Sequence, residues 1–117
     1  MNVETGDFWA MLDGLVESAT IRIDRPRGST HPRYPELVYP YDYGFLEGTT
    51  SGDGEGIDLW RGAMAGQGLT AVVCTVDLVK RDVEIKLLLG CAAEEEQEIL
   101  AFHGWGGQRG LLIRRPV

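Results

Sequence analysis

Positive charge is scarce in this chain and unevenly spread. Eleven Lys and Arg stand against eighteen Asp and Glu, a net charge of −7, which argues against nonspecific binding to nucleic acid or to an anionic membrane. Between Tyr34 and Trp60 there is no Lys or Arg at all. Cysteine is equally sparse. Cys74 and Cys91 form no CxxC pattern and sit among apolar residues, so they read as reduced core thiols of a cytoplasmic protein and not as a disulfide. Long apolar runs are missing too: the longest, Leu69 to Val76, is broken by Thr70 and Thr75 and falls far short of the ~20 residues of a membrane helix. The acidic N-terminal stretch has no basic segment of the kind that opens a secretory leader, so no export is expected.

Nucleotide-binding signatures are absent as well. Gly104, Gly106, Gly107 and Gly110 miss the spacing of GxGxxG because Arg109 stands in the sixth place, and no GxxxxGK[ST] occurs. Of the two histidines, His31 and His103, neither belongs to a recognisable nucleophile motif, and His103 at a helix end reads as a cap. With 117 residues, no repeat and no linker, residues 1–117 form one domain with a modest core.

What the sequence does contain is periodicity. Phe8, Leu12, Leu15, Val16 and Ala19 recur at helical spacing, which predicts an amphipathic helix over residues 6–18. Strands are expected at 20–24, 57–61, 69–79, 83–89 and 111–114, a second helix at 92–103, and turn-rich, proline-rich chain over 26–54. Strands in the middle with helices at the flanks, and no βαβ alternation, predict an antiparallel α+β fold.

The charged residues are patterned. Four arginines and a single acid, Asp24, lie between Arg22 and Arg33; Glu36, Asp42, Glu47, Asp53, Glu55 and Asp58 follow with no cation among them. A basic segment running into an acidic one suits a metal-complexed anion, with carboxylates for the metal and guanidinium groups for the anion. Strand alternation places Val83, Ile85 and Leu87 on one face, read as the core side, and Asp82, Glu84 and Lys86 on the other. Asp77 falls at the rim of the hairpin formed with the preceding strand, and Asp58 points away from Ile57 and Leu59. Acids on neighbouring strands form a hard oxygen-rich set, the chemistry of Mg²⁺ or Mn²⁺ and not of zinc. In TSGDGEGIDLWRG, Gly52, Gly54 and Gly56 free the backbone to turn Asp53, Glu55 and Asp58 toward one point.

Four blocks then carry a resemblance. Asp24-Arg25-Pro26 is followed nine residues later by Arg33-Tyr34; YPYDYGF spans Tyr39 to Phe45; DGEGID begins ten residues after Tyr43; and Asp77 precedes either Asp82 or Glu84-Ile85-Lys86. In order and spacing these resemble the soluble family I inorganic pyrophosphatases, over roughly residues 20–90. The resemblance implies a small five-stranded antiparallel barrel of the oligonucleotide-binding type with flanking helices. It also implies a homo-oligomer, and Mg²⁺-dependent hydrolysis of pyrophosphate to two phosphates. Residue by residue, it implies that Asp53, Asp58 and one of Asp82 or Glu84 hold a metal pair, and that Asp24 and Asp77 bind further Mg²⁺. Glu55 stands in the place of the family's general-base Asp, while Arg33, Tyr43 and Lys86 grip phosphoryl oxygens, Tyr43 and Lys86 also serving catalysis. The chain between Arg33 and Tyr43 is too short for the family's arginine-bearing hairpin, and AFHGWGGQRG has no match to its C-terminal Tyr-Lys pair. Two alternatives accompany this expectation: a module that binds divalent metal and phosphate without turnover, and a hydrolase of another phosphoanhydride.

Overall fold

The computed structural model describes residues 5–117; the acidic stretch on which the expectation of no leader rests begins outside that range. Helix α1 (Thr5–Ser18) is followed by strand β1 (Thr20–Arg25), β2 (Asp42–Glu47), β3 (Ile57–Arg61), β4 (Leu69–Asp77), β5 (Asp82–Leu89), helix α2 (Ala93–Phe102) and β6 (Gln108–Arg114). The fold is α+β, and among the described residues no helix is long and apolar enough to cross a membrane.

Strand order in the single six-stranded sheet is β1-β2-β3-β5-β4-β6. Every neighbouring pair is antiparallel except β3 and β5, which run parallel. The parallel pair has a simple origin. The β4–β5 hairpin reverses the chain twice after β3 and then inserts β5, not β4, beside it. The five-stranded antiparallel barrel is therefore replaced by an open, mixed sheet: β6 covers the outer edge of β4, the edge that would have to meet β1 for the other five strands to close.

Strand β2 lies within the segment expected to be turns. Pro40 and Gly44 make YPYDYGF read as a turn, yet Gly44 pairs with Ile23 in the middle of a ladder. A Cβ there would overlap the Arg22 carbonyl and crowd Ile23 Cα, so the glycine permits a close approach of two strands and does not end one. The preceding loop is pinned by backbone bonds from Gly28 N–H to the Tyr39 carbonyl at 2.8 Å and from His31 N–H to the Leu37 carbonyl at 2.8 Å.

Both sheet faces carry core. On one, Trp9, Leu12 and Val16 of α1 pack across Leu46, Leu59, Val72 and Leu87; the helix thus buries a face centred on Trp9 and leaves Phe8 and Leu15 exposed. On the other, Ile99 of α2 closes over Tyr43, Trp60, Val73 and Leu88 beside Tyr39. Glu95 fixes the start of α2, accepting the Ala92 N–H at 2.8 Å and, from outside the helix, the Ala63 N–H at 3.1 Å.

Strand β5 reverses one expectation. Its alternation holds, but Val83 and Ile85 are 69% and 44% exposed, while Glu84 and Lys86 are 7% and 4% exposed. The cause lies in what covers the sheet. Helix α1 crosses at the level of Leu87 and Val72 and stops short of Ile85 and Val83, and on the other face Lys86 turns toward a cleft beneath the loop that precedes β2.

Candidate functional site

Tyr43 on β2, Asp58 on β3 and Glu84 and Lys86 on β5 reach the same face of the sheet because their strands lie side by side in register. Lys86 Nζ donates to Tyr43 Oη at 3.0 Å, to Asp58 Oδ2 at 2.9 Å and to Glu84 Oε2 at 3.3 Å. An ammonium has three hydrogens, and each finds an oxygen. The Tyr43 hydroxyl donates its own hydrogen to Asp58 Oδ2 at 2.6 Å. Burial alone would lower the Lys86 pKa, but the oxygens of Tyr43, Asp58 and Glu84 outweigh it and hold the ammonium above its ordinary value. Burial pushes the Tyr43 hydroxyl up, with the Asp58 carboxylate adding to the rise and Lys86 opposing it, so it stays a neutral donor.

The cluster continues into the glycine-rich loop. Burial raises the Glu84 carboxyl; Lys86 opposes this, and a hydrogen bond with Asp53 adds to it. Asp53 moves the other way, to about 2, because the Ser51 hydroxyl and the Glu55 backbone N–H donate to it at 2.6 and 2.9 Å. The two neighbouring carboxyls thus shift in opposite directions, Glu84 up through burial and Asp53 down through its hydrogen bonds.

Tyr43, Asp58 and Lys86 line a cleft of about 630 Å³. Asp24, at the end of β1, and the exposed Arg33 line it as expected site residues, as does Asp77. Asp77 is already committed to the β4–β5 turn: Oδ1 accepts the N–H groups of Val79 and Lys80, both at 2.9 Å, and Oδ2 accepts from Gln108 Nε2 at 3.2 Å. Asp82 pairs with Lys80 at 3.8 Å and does not line the cleft. Glu55 is exposed on its loop and does not line the cleft.

Two features escaped the sequence reading. Arg25 donates to the Tyr39 hydroxyl and lies over the Tyr39 and Tyr43 rings at 5.6 and 5.8 Å, which places a second guanidinium in the cleft wall. Its position beside Asp24 in the same block was the signal available. The second is the set of partners of His103, which caps α2 as its place at the helix end implies: Nε2 accepts from Trp60 Nε1 at 2.9 Å while Nδ1 lies 2.8 Å from Gln108 Oε1. An Nε2 that accepts requires the hydrogen on Nδ1, so the ring is a neutral imidazole donating to Gln108. Burial, with the Lys86 charge adding to it, lowers its pKa to about 4.

Among the described residues no three carboxylate, imidazole or thiolate groups meet at one point. Glu84 and Asp58 share the one ammonium of Lys86, and carboxylate oxygens of this kind are the donors a hard cation takes. Compared with known proteins, the chain matches no family model, no curated protein and no solved structure.

Proposed function

We propose that this protein hydrolyses a phosphoanhydride, with inorganic pyrophosphate as the reference substrate and Mg²⁺ as cofactor. The observation that carries this reading is the convergence of Tyr43, Asp58 and Lys86, drawn from three separated blocks, on one wall of a cleft that also holds Asp24, Arg25 and Arg33. Asp53, Asp58 and Glu84 are the residues that would hold Mg²⁺; Glu84 takes this part in preference to Asp82 because it shares Lys86 with Asp58. An ion held there would lower the pKa of a water and neutralise phosphoryl oxygens. Arg25, Arg33 and Lys86 bind and orient the phosphoryl groups by charge, and Tyr43 supplies a neutral hydrogen-bond donor for developing negative charge. Asp24 and Asp77 stand at the cleft for further cations, Asp77 with both oxygens already engaged.

The test is phosphate release from pyrophosphate at pH 7–9 with Mg²⁺, run beside Asp58→Asn. The variant is expected to lose at least ~10²-fold in rate; full activity in it would sink the assignment. One observation favours a second reading, binding without turnover: Glu55, in the place of the general base, is exposed and outside the cleft. Calorimetry would then show Mg²⁺-dependent binding of pyrophosphate with no phosphate released.

The proposal includes a cytoplasmic setting, supported by two free cysteines, and a homo-oligomer. The latter is supported by the apolar side chains of Val76, Val83, Ile85, Leu111 and Ile113, which stand exposed on one face of β4, β5 and β6. The barrel relationship is supported by the five-strand order β1-β2-β3-β5-β4, to whose last edge β6 is added.

A further inference from the structure

Half of the cleft lies beyond anything pyrophosphate needs. At ~30 Å³ per heavy atom, the share of one water molecule, the nine heavy atoms of pyrophosphate take roughly 270 Å³, so the cavity of about 630 Å³ is roughly twice what it needs and falls in the range of sites that take drug-sized ligands. The surplus is aromatic. His31, Tyr34, Phe102 and Trp105 line it, with ring centroids 5.1 Å apart for His31 and Tyr34 and 4.6 Å apart for Tyr34 and Trp105. Trp105 is 40% exposed, whereas Trp9 and Trp60 are buried. A large ring set against a second ring, tilted 52° to it and with its remaining surface open to a cleft, is a stacking platform.

The two halves adjoin through Tyr39. Its ring carries the Arg25 guanidinium at 5.6 Å and lies parallel to His31, with centroids 6.3 Å apart and 6° between the planes. Cations for phosphoryl groups and rings for a planar group therefore sit within one ligand's length of each other. His31 Nδ1 accepts the Arg33 backbone N–H at 3.0 Å, which in the neutral ring puts the hydrogen on Nε2 and makes that atom a donor. Burial and the nearby charges of Arg25, Lys80 and Arg33 lower its pKa, which favours that neutral form.

We propose that the cleft takes a nucleoside diphosphate, its phosphoryl groups at Arg25, Arg33 and Lys86 and its base stacked on Tyr34 and Trp105. This rests on the phosphoanhydride reading and narrows its substrate class. A nucleic-acid strand, which offers the same chemistry, is disfavoured by the net charge of −7.

Trp105 provides the probe, since it is exposed while Trp9 and Trp60 are buried. The full chain is titrated with ADP and with pyrophosphate, each with Mg²⁺, and followed by tryptophan fluorescence and calorimetry. ADP is expected to quench the emission and to bind about 5- to 150-fold more tightly than pyrophosphate. Trp105→Ala should remove both the quench and the preference, and Trp105→Phe should keep most of the preference. Equal or weaker binding of ADP by the unmodified chain overturns the inference, as does a preference that survives Trp105→Ala. If pyrophosphate binds and is hydrolysed while ADP shows no preference, only this inference fails. If neither ligand binds, the phosphoanhydride reading falls with it.

Discussion

Lys86 is the residue on which the candidate site depends. A buried ammonium is tolerated only when its charge and hydrogens are met, and here Tyr43, Asp58 and Glu84 meet them. Lys86→Met would leave the buried Glu84 and half-buried Asp58 without their shared cation. A loss of about 3–5 kcal/mol is expected in urea unfolding. His103 makes a prediction in pH. Its folded pKa of about 4 lies below the ordinary 6.5, so the unfolded chain binds the extra proton between those values. Its contribution is complete above pH 6.5 and is lost as pH falls toward 4, in total by about 3 kcal/mol. Unfolding free energies at pH 7 and pH 4 should therefore differ more in the unmodified protein than in His103→Gln, by about that amount. The identity of these residues was visible in the sequence; their partners were not, because Trp60 and His103 are brought together only when α2 closes over the sheet.

Strand β2 and strand β5 show how much of an element its own sequence reveals. Local chemistry at Pro40 and Gly44 favours a turn, and the ladder with β1 overrides it because Gly44 alone lets the backbone at Arg22 and Ile23 come close. Gly44→Ala should cost more than about 3 kcal/mol, or prevent folding, since the obstructing atoms are backbone and cannot step aside; thermal denaturation of the purified variant would show it. In β5 the period of two correctly groups Asp82, Glu84 and Lys86 with Asp77 on the facing strand. Periodicity cannot say which face is covered. That depends on where α1 crosses, and it crosses short of Ile85 and Val83.

At the scale of the whole molecule, the uncovered end of that face is the most conspicuous surface. Val76 and Val83 pair across β4 and β5, Cys74 pairs with both Ile85 and Leu111, and Val72 pairs with Ile113, so the exposed apolar side chains are neighbours and not scattered. Such a patch drives association when a second one is available. Val83→Glu puts a charge into it at a site 69% exposed. If the proposed homo-oligomer forms through this face, the variant keeps its fold and sediments as a monomer while the unmodified protein does not; a variant that sediments with the unmodified protein overturns that interface.

The sequence by itself determined the α+β class, most element positions and the identity of the charged set, because periodicity and local chemistry act over a few residues. It also carried the spacing of the four blocks. Only the tertiary structure decided that the sheet is open and mixed, that Glu84 and Lys86 are inside and Val83 and Ile85 outside, and that Arg25, Tyr34 and Trp105 share a cleft with Lys86. These outcomes depend on how distant segments cover one another, and no local pattern records what an element will be packed against.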